Sequence, residues 1–229
     1  MRSPGPAPEW LSGLLSSEVG RAFSRGAFRR FRGGAVREAF AGSGLLSKAL
    51  GACGLWVEPA LEAYPEKGKY IAALDLDRAE VRFMLLQEIR SGFLRYVHFG
   101  LPCGAWGPAN RLNKGTRSRA SPDGGPNLLE RERKANEQGA YVAMLCIELS
   151  RAKGWFSVEN PYSSDFWRSS FYCTLVAEVQ VSEAHIHQCA YGLKLPGFDR
   201  YSFCKKDTRI VSNIPDIVNL SRSCPGISA

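Results

Sequence analysis

An apolar strand, a turn of small residues and a helix follow one another between residues 35 and 53, and this order recurs along the chain. Residues 35–40 have extended character, residues 41–44 form the turn, and residues 45–53 have helical spacing. Further strands are predicted at residues 54–58, 69–76, 96–99 and 155–158, and further helices at residues 79–89 and 128–151. Strands that alternate with helices in this way favour an α/β fold with a doubly wound, mostly parallel sheet.

The chain of 229 residues, 45% of them hydrophobic, has the size and apolar content of one domain with a tail. Residues 1–8 contain three prolines and are predicted to be a disordered tail. Residues 9–34 form an irregular amphipathic, basic pattern, read either as packing helices with a solvated face or as a nucleic-acid arm. Residues 35–226 are then the main domain.

The formal net charge of +8 favours a polyanionic partner such as nucleic acid, although a soluble basic surface explains it equally well. None of the seven cysteines forms a Cys-x-x-Cys pair, so zinc-finger spacing is absent from the sequence. We find no secretory signal and no membrane-spanning run, and we expect a reducing intracellular compartment, either nucleus or cytoplasm.

The turn after the first strand, Phe40-Ala41-Gly42-Ser43-Gly44, can approach a ligand closely because its glycines turn tightly before a helix. By itself this turn is more often structural.

Acidic side chains follow the next two predicted strands. A carboxylate at such a position binds the hydroxyl groups of a ribose, and Glu58 is the first candidate with Glu62 as its rival. Asp75 or Asp77 is a candidate contact for an adenine, although an exposed helix-capping aspartate is equally plausible.

Two further motifs follow later strands. Pro102 and Cys103 come directly after the strand at 96–99, in a position that suits a nucleophile once its thiolate is stabilised. Glu159 and Asn160 come after the strand at 155–158, where a carboxylic acid in a desolvated pocket can donate to a ring nitrogen. The structural alternatives are an inert buried cysteine for the first motif and an Asn-Pro turn for the second. In parallel sheets, ligands bind at the carboxyl ends of strands, where all these motifs lie.

In this order, Phe-Ala-Gly-x-Gly, Pro-Cys and Glu-Asn resemble the DNA cytosine-5 methyltransferase family, and in detail a compact branch met in phage and mobile elements. The resemblance spans residues 36–226 and includes Gln188 to Gly192, Asp207 to Asn213 and Cys224 to Gly226. It implies a Rossmann-like fold of the S-adenosylmethionine-dependent type. No separate target-recognition domain is evident, so we expect a specificity partner or a larger polyprotein, or else weak sequence selectivity.

The resemblance also implies roles for single residues. Cys103, preceded by Pro102, would attack carbon 6 of cytosine, Glu159 would bind the ring, and Asn160 would position the nucleophile loop. The cofactor S-adenosylmethionine would contact Phe40, Ala41, Gly42, Ser43, Gly44, Glu58 and Asp75.

Arginines are candidates for supporting the target base. Arg117 and Arg119, in the predicted loop at 104–127, form an Arg-x-Arg pair but precede the Glu-Asn motif, whereas the family places its pair after it. Arg200 lies in the better order along the chain. Solvated arginines or phosphate contacts are the alternatives for the loop pair. As a function, DNA methylation leads, with RNA cytosine methylation and a catalytically inactive nucleic-acid-binding module as rivals.

Overall fold

The computed structural model describes residues 31, 33–65, 68–193 and 206–224. The tail at 1–8, nearly all of the segment at 9–34, and Arg200 therefore lie outside the described residues. Within the described ranges, no helix combines the length and apolarity needed to cross a membrane.

A five-stranded sheet in the order β1-β2-β3-β5-β4 forms the centre of the fold. Its strands are β1 (Ala35–Ala39), β2 (Leu94–Gly100), β3 (Trp155–Pro161), β4 (Ser182–His187) and β5 (Asp207–Ser212). The first three strands pair in parallel, and β5 lies antiparallel between β3 and β4, so that four of the five strands share one direction. The predicted α/β class with a mostly parallel sheet is confirmed.

Helices pack on both faces of the sheet, as a doubly wound fold requires. They are α1 (Leu45–Ala52), α2 (Ala79–Arg90), α3 (Pro108–Leu112), α4 (Glu130–Arg151) and α5 (Ser170–Glu178). Side chains alternate along each strand. Val97 and Phe99 of β2 point into the large core formed with α2, α4 and α5. Tyr96 points to the opposite face, where it packs in a second core with Leu50 of α1 and stacks on Phe31 at 4.7 Å between ring centroids.

The segment around residues 54–58 does not form the predicted strand. It runs beside β1 through two isolated bridges, Val36 with Val57 and Ala39 with Leu61. Pro59 lies between the bridges and has no amide hydrogen to donate, so a continuous ladder is interrupted there.

Two other segments also differ from the predictions. The expected extended piece at 69–76 contains a short 3-10 helix, Ala72–Leu74, because Ala-Ala-Leu favours helical turns over a strand. The predicted loop at 104–127 is not wholly irregular, since α3 forms within it. A proline at the start of α3 suits a first helical turn, where its missing donor costs nothing.

Candidate active site

The carboxyl ends of β1, β2 and β3 bring three of the predicted motifs to one edge of the sheet. Ala39 pairs with Phe99 and Gly100 pairs with Glu159, which places Phe40, Gly100 and Glu159 side by side. A Cβ atom on Gly100 would lie 3.0 Å from the carbonyl oxygen of Phe40 and 4.0 Å from Oε2 of Glu159. The three strand ends are therefore in close contact, and glycine suits this position because it has no side chain.

A cavity of about 550 Å³ opens beside this edge, which is a size typical of small-molecule sites. Its walls come from the turn after β1, the segments around residues 61–64 and 74–77, the loop after β2, and α4. Among its lining residues are Phe40, Gly42, Glu62, Asp75, Pro102 and Lys134. Cofactor-binding candidates and residues flanking Cys103 thus share one cavity.

The turn after β1 is held in an unusual backbone conformation. Phe40, Gly42 and Gly44 have φ values of 55°, 53° and 63°, in the left-handed region that glycine adopts without strain. Ala41 and Ser43 complete the turn, and the amide of Gly44 donates to the carbonyl of Ala41 at 2.9 Å. Phe40 and Gly42 line the cavity, so this turn brings an aromatic ring and glycine backbone to the cavity wall.

Of the two carboxylates predicted for the ribose, Glu62 lines the cavity and Glu58 is not among the residues that line it. The carboxylate of Glu62 accepts a hydrogen bond from the amide of Gly42 at 2.9 Å and lines the cavity. Glu58 turns instead to the buried guanidinium of Arg37, at 3.4 Å, and Arg37 also pairs with Glu88. This segment continues beside β1 past Glu58 to the bridge at Leu61, so it ends three residues later than the predicted strand. Glu62 is the residue that follows this end.

Asp75 and Asp77 both line the cavity, and the geometry leaves both as candidates. Asp75 accepts hydrogen bonds from the hydroxyl of Tyr70 at 2.8 Å and from the amide of Asp77 at 2.9 Å. Asp77 pairs with Lys134 at 2.6 Å and accepts from the side chain of Gln138 at 2.7 Å. The hydrogen bond to Asp77 raises the pKa of Lys134, which keeps this ammonium charged at the cavity wall.

Cys103 lies exposed at the start of a turn whose backbone is held from both sides. Its carbonyl accepts hydrogen bonds from the amides of Trp106 and Gly107, each at 3.0 Å. Before it, the carbonyl of Leu101 accepts a hydrogen bond from the side-chain amide of buried Asn160 at 2.7 Å. The end of β3 therefore holds the loop that carries Cys103.

Glu159 presents a carboxylate with unused hydrogen-bonding capacity. Its Oε1 atom is buried and has no hydrogen-bond partner among the described residues, and the nearest cation is the ammonium of Lys206 at 3.6 Å. Buried polar atoms are normally satisfied, so an oxygen in this state indicates a place for a ligand group.

The arginine candidates differ in their surroundings. Arg117 is 2% exposed, stacks over the Trp106 ring at 3.6 Å, and donates to the carbonyl of Pro122 and the side chain of Asn136, each at 2.7 Å. Its guanidinium thus holds the loop after Cys103 together, and its hydrogen bonds are made within the protein. Arg119 is exposed.

Two cations that were not singled out in the sequence lie beside the Glu-Asn motif. Lys206 faces Glu159, and Arg209 of β5 pairs in register with Asn160. Arg209 lies 5.0 Å from the Trp167 ring and forms an ion pair with Glu183. Lys206 directly precedes the antiparallel strand β5, and Arg209 lies within it. The spacing of residues along the sequence does not indicate that β5 pairs with β3, so neither cation could be predicted.

The comparisons with known proteins add little to this picture. No protein-family model matches the chain, and no curated protein matches it. A SAM-dependent methyltransferase from Archaeoglobus fulgidus superposes with a TM-score of 0.36 and 12% identity, over 89% of this chain and 97% of that one. The glycopeptide N-methyltransferase MtfA, solved with (S)-adenosyl-L-methionine, superposes with a TM-score of 0.28 and 15% identity, over 93% and 97%. Similarity at this level identifies neither a substrate nor a cofactor for this chain.

Proposed function

We propose that the chain transfers a methyl group from S-adenosylmethionine to carbon 5 of cytosine in DNA, with Cys103 as the nucleophile. The observation that carries this proposal is the junction of β2 and β3. There Asn160 holds the Cys103 loop through Leu101, and Glu159 presents at the same sheet edge a buried oxygen that no described residue hydrogen-bonds. A nucleophile and an acid supported by one junction are what attack on a heteroaromatic ring requires.

The residues around the cavity fit S-adenosylmethionine. Glu62 and Asp75 provide carboxylates, which suit ribose hydroxyls, an adenine amino group and the positive charges of this cofactor. Phe40 offers a ring to the adenine, and the turn at Gly42 allows close backbone approach. When bound, the cofactor supplies an electrophilic methyl group.

In this proposal the protein's own groups activate the cytosine ring. The thiolate of Cys103 forms a bond to carbon 6, and the displaced ring electrons make carbon 5 nucleophilic. The carboxyl group of Glu159 hydrogen-bonds the ring at nitrogen 3 and the exocyclic amine, which supports the attack. After methylation, a base removes the hydrogen from carbon 5, the ring double bond re-forms, and the bond to Cys103 breaks with the sulfur leaving as thiolate.

The surroundings of Cys103 suit a polyanionic substrate. Four cationic side chains follow it in the chain, in the next loop and at the start of α4: Arg111, Lys114, Arg119 and Arg131. Of these, Lys114 and Arg131 share a cavity with Gly104, the residue after Cys103. Such side chains bind phosphates and give orientation without sequence specificity. A base inside a duplex cannot reach a thiol at this edge, so the target base must be extruded or unpaired.

The test is covalent trapping. The full chain is incubated with S-adenosylmethionine and DNA containing 5-fluorocytosine, in which fluorine blocks the final elimination. We expect an adduct that resists denaturation, and we expect Cys103→Ala to abolish it. Cys173→Ala, at another exposed cysteine, is the matched control and should keep the adduct. An adduct that survives Cys103→Ala would rule out the proposed nucleophile.

Two other functions are distinguished by the same experiment. An RNA cytosine-5 methyltransferase would form the adduct with 5-fluorocytosine RNA and not with DNA, because the 2′-hydroxyl groups decide the discrimination. An inactive binding module would bind nucleic acid without any adduct, and Cys103→Ser would leave its affinity unchanged. The exposed position of Cys103 favours a reactive thiol over the inert buried alternative.

A further inference from the structure

Beyond the candidate active site, two histidines and an aspartate converge on the β4–β5 pair. His185 and His187 are two residues apart on β4 and share a face, and His187 pairs in register with Asp207. The potential ligand atoms of these three residues all lie within 4.8 Å of one another. They include two of the three histidines in the chain.

The two imidazoles face the same carboxylate oxygen. Nε2 of His187 lies 3.4 Å from Oδ1 of Asp207, and Nε2 of His185 contacts the same atom. The two imidazole rings meet edge-on, with centroids 4.9 Å apart, and the ring of Tyr162 stacks on His185 at 3.9 Å. One histidine is enough to form an ion pair with Asp207. The convergence of two imidazoles on one carboxylate oxygen is instead typical of a set of metal ligands.

We propose that His185, His187 and Asp207 form a binding site for a divalent transition metal, best suited to zinc. Two imidazole nitrogens and one carboxylate oxygen are a ligand set that zinc accepts, and a fourth position stays open to water or another ligand. Zinc bonds of about 2 Å in tetrahedral directions place ligand atoms about 3.3 Å apart. The separation of 3.4 Å between Nε2 of His187 and Oδ1 of Asp207 is close to this value, and the ligand atoms of all three residues lie within 4.8 Å of one another.

Among the residues that the structure describes, the nearby cations do not pair with the Asp207 carboxylate. Each of them is directed to a different partner: Lys206 to Glu159, Arg209 to Glu183, and Arg222 to the ring of Tyr191. The negative charge of Asp207 therefore remains available to a metal ion. Imidazole ligands favour zinc and its transition-metal neighbours over magnesium, which prefers oxygen ligands.

Metal binding has one defined cost. The amide of Cys224 donates to Nδ1 of His187 at 2.7 Å, so the proton of the neutral ring resides on Nε2. A metal at Nε2 displaces that proton and Nδ1 takes one up, which keeps the ring neutral and breaks the hydrogen bond to Cys224. We therefore expect metal binding to release the backbone at Cys224, a change that is measurable apart from any enzymatic activity.

The test is titration of the full-length, reduced protein with zinc alone, followed by calorimetry, with magnesium as the negative control. We expect a zinc site of one ion per chain. His185→Ala and Asp207→Asn should each weaken it by at least about a hundredfold, more than loss of an outer-sphere partner. Glu130→Gln, at an exposed carboxylate on α4, is the control and should leave zinc affinity unchanged. Circular dichroism establishes that each variant is folded.

Cysteine thiolates elsewhere also bind zinc, so the ligands need identification. With cobalt as the probe, we expect a spectrum without thiolate charge-transfer bands, and Cys224→Ser should retain it. In the wild-type protein, nitrogen-15 spectra of the imidazoles should show the proton of His187 moving to Nδ1 as zinc is added. No zinc binding by the folded protein, or zinc binding that survives Asp207→Asn, would overturn the proposal. Neither outcome depends on the proposed methyl transfer.

Discussion

Asn160 joins two strand ends through a single side-chain amide, and its removal is the first test of the site. In Asn160→Ala the buried carbonyl of Leu101 loses its donor, which we expect to cost about 1–3 kcal/mol in the free energy of unfolding. The Cys103 loop should also lose its position, so trapping should fall more than cofactor affinity does. Urea unfolding and calorimetry measure these effects. Asn113→Ala, at an exposed amide that donates to the carbonyl of Ala109, is the control.

Glu62 and Glu58 allow a matched comparison of two carboxylates. We expect Glu62→Gln to weaken S-adenosylmethionine binding about tenfold, because a charge-assisted hydrogen bond is worth more than a neutral one. Glu58→Gln should leave cofactor affinity unchanged and lower stability, since buried Arg37 loses an ionised partner. Calorimetric titration with S-adenosylmethionine measures the affinity of both variants. If Glu58→Gln weakened binding more than Glu62→Gln, Glu58 would be the cofactor residue.

Single residues were easiest to predict where a motif follows a strand directly. Phe40, Cys103 and Glu159 end up at one edge because parallel strands bring their carboxyl ends together, and that rule needs no coordinates. Arg117 could not be placed in this way. Its position under the loop depends on the Trp106 ring, a contact that neither spacing nor charge indicates.

At the scale of elements, the junction of the strand ends depends on Gly100. We expect Gly100→Ala to lower the free energy of unfolding by about 1–3 kcal/mol, because the new methyl group presses on the carbonyl oxygen of Phe40. Gly104→Ala is the control, since nothing lies within 4 Å of its added carbon. Equal stability of the two variants in urea unfolding would contradict the close packing at this edge.

The start of α4 is tied to the loop after Cys103 by Glu132, which makes that contact sensitive to acid. Burial by itself raises the pKa of Glu132, but hydrogen bonds from Asn110, Leu129 and Thr116 outweigh it and lower the pKa to about 2. A carboxyl with a depressed folded pKa contributes stability above its ordinary pKa of 4.5 and loses it as pH falls towards 2.

We therefore expect the wild type to lose stability between pH 4.5 and 2 more steeply than Glu132→Gln does. Urea unfolding midpoints measured across that range test this directly. Other titrating groups act in both proteins, so parallel pH profiles would show that Glu132 does not carry the effect.

Helices and strands with long, regular patterns were predicted well, whereas segments interrupted by proline were not. The helices at α2 and α4 match their spacing because each buries one apolar stripe. The segment at 54–58 has strand-like residues, yet Pro59 and the bridge at Leu61 leave it only partly paired with β1. Pairing of this kind depends on hydrogen bonds between distant segments, which composition does not reveal.

For the whole molecule, the net charge of +8 favours binding to nucleic acid, and the number of cations that contact phosphates sets how this binding responds to salt. If four cations near Cys103 contact phosphates, we expect affinity for duplex DNA to fall about a hundredfold between 50 and 200 mM salt. Lys114→Ala should reduce the slope of log affinity against log salt by about one. Fluorescence anisotropy at several salt concentrations measures both, and affinity that is insensitive to salt would exclude phosphate contacts.

The position of β5 also determines the order in which the sheet can be completed. β4 does not touch β3 in the finished sheet, because β5, which is later in the chain, lies between them. During synthesis, β3 and β4 must therefore wait with open edges until residues 207–212 have left the ribosome. Unpaired strand edges attract other chains, so a product that stops before β5 is exposed to aggregation. The sheet of this chain can therefore be completed only after β5 has been synthesised.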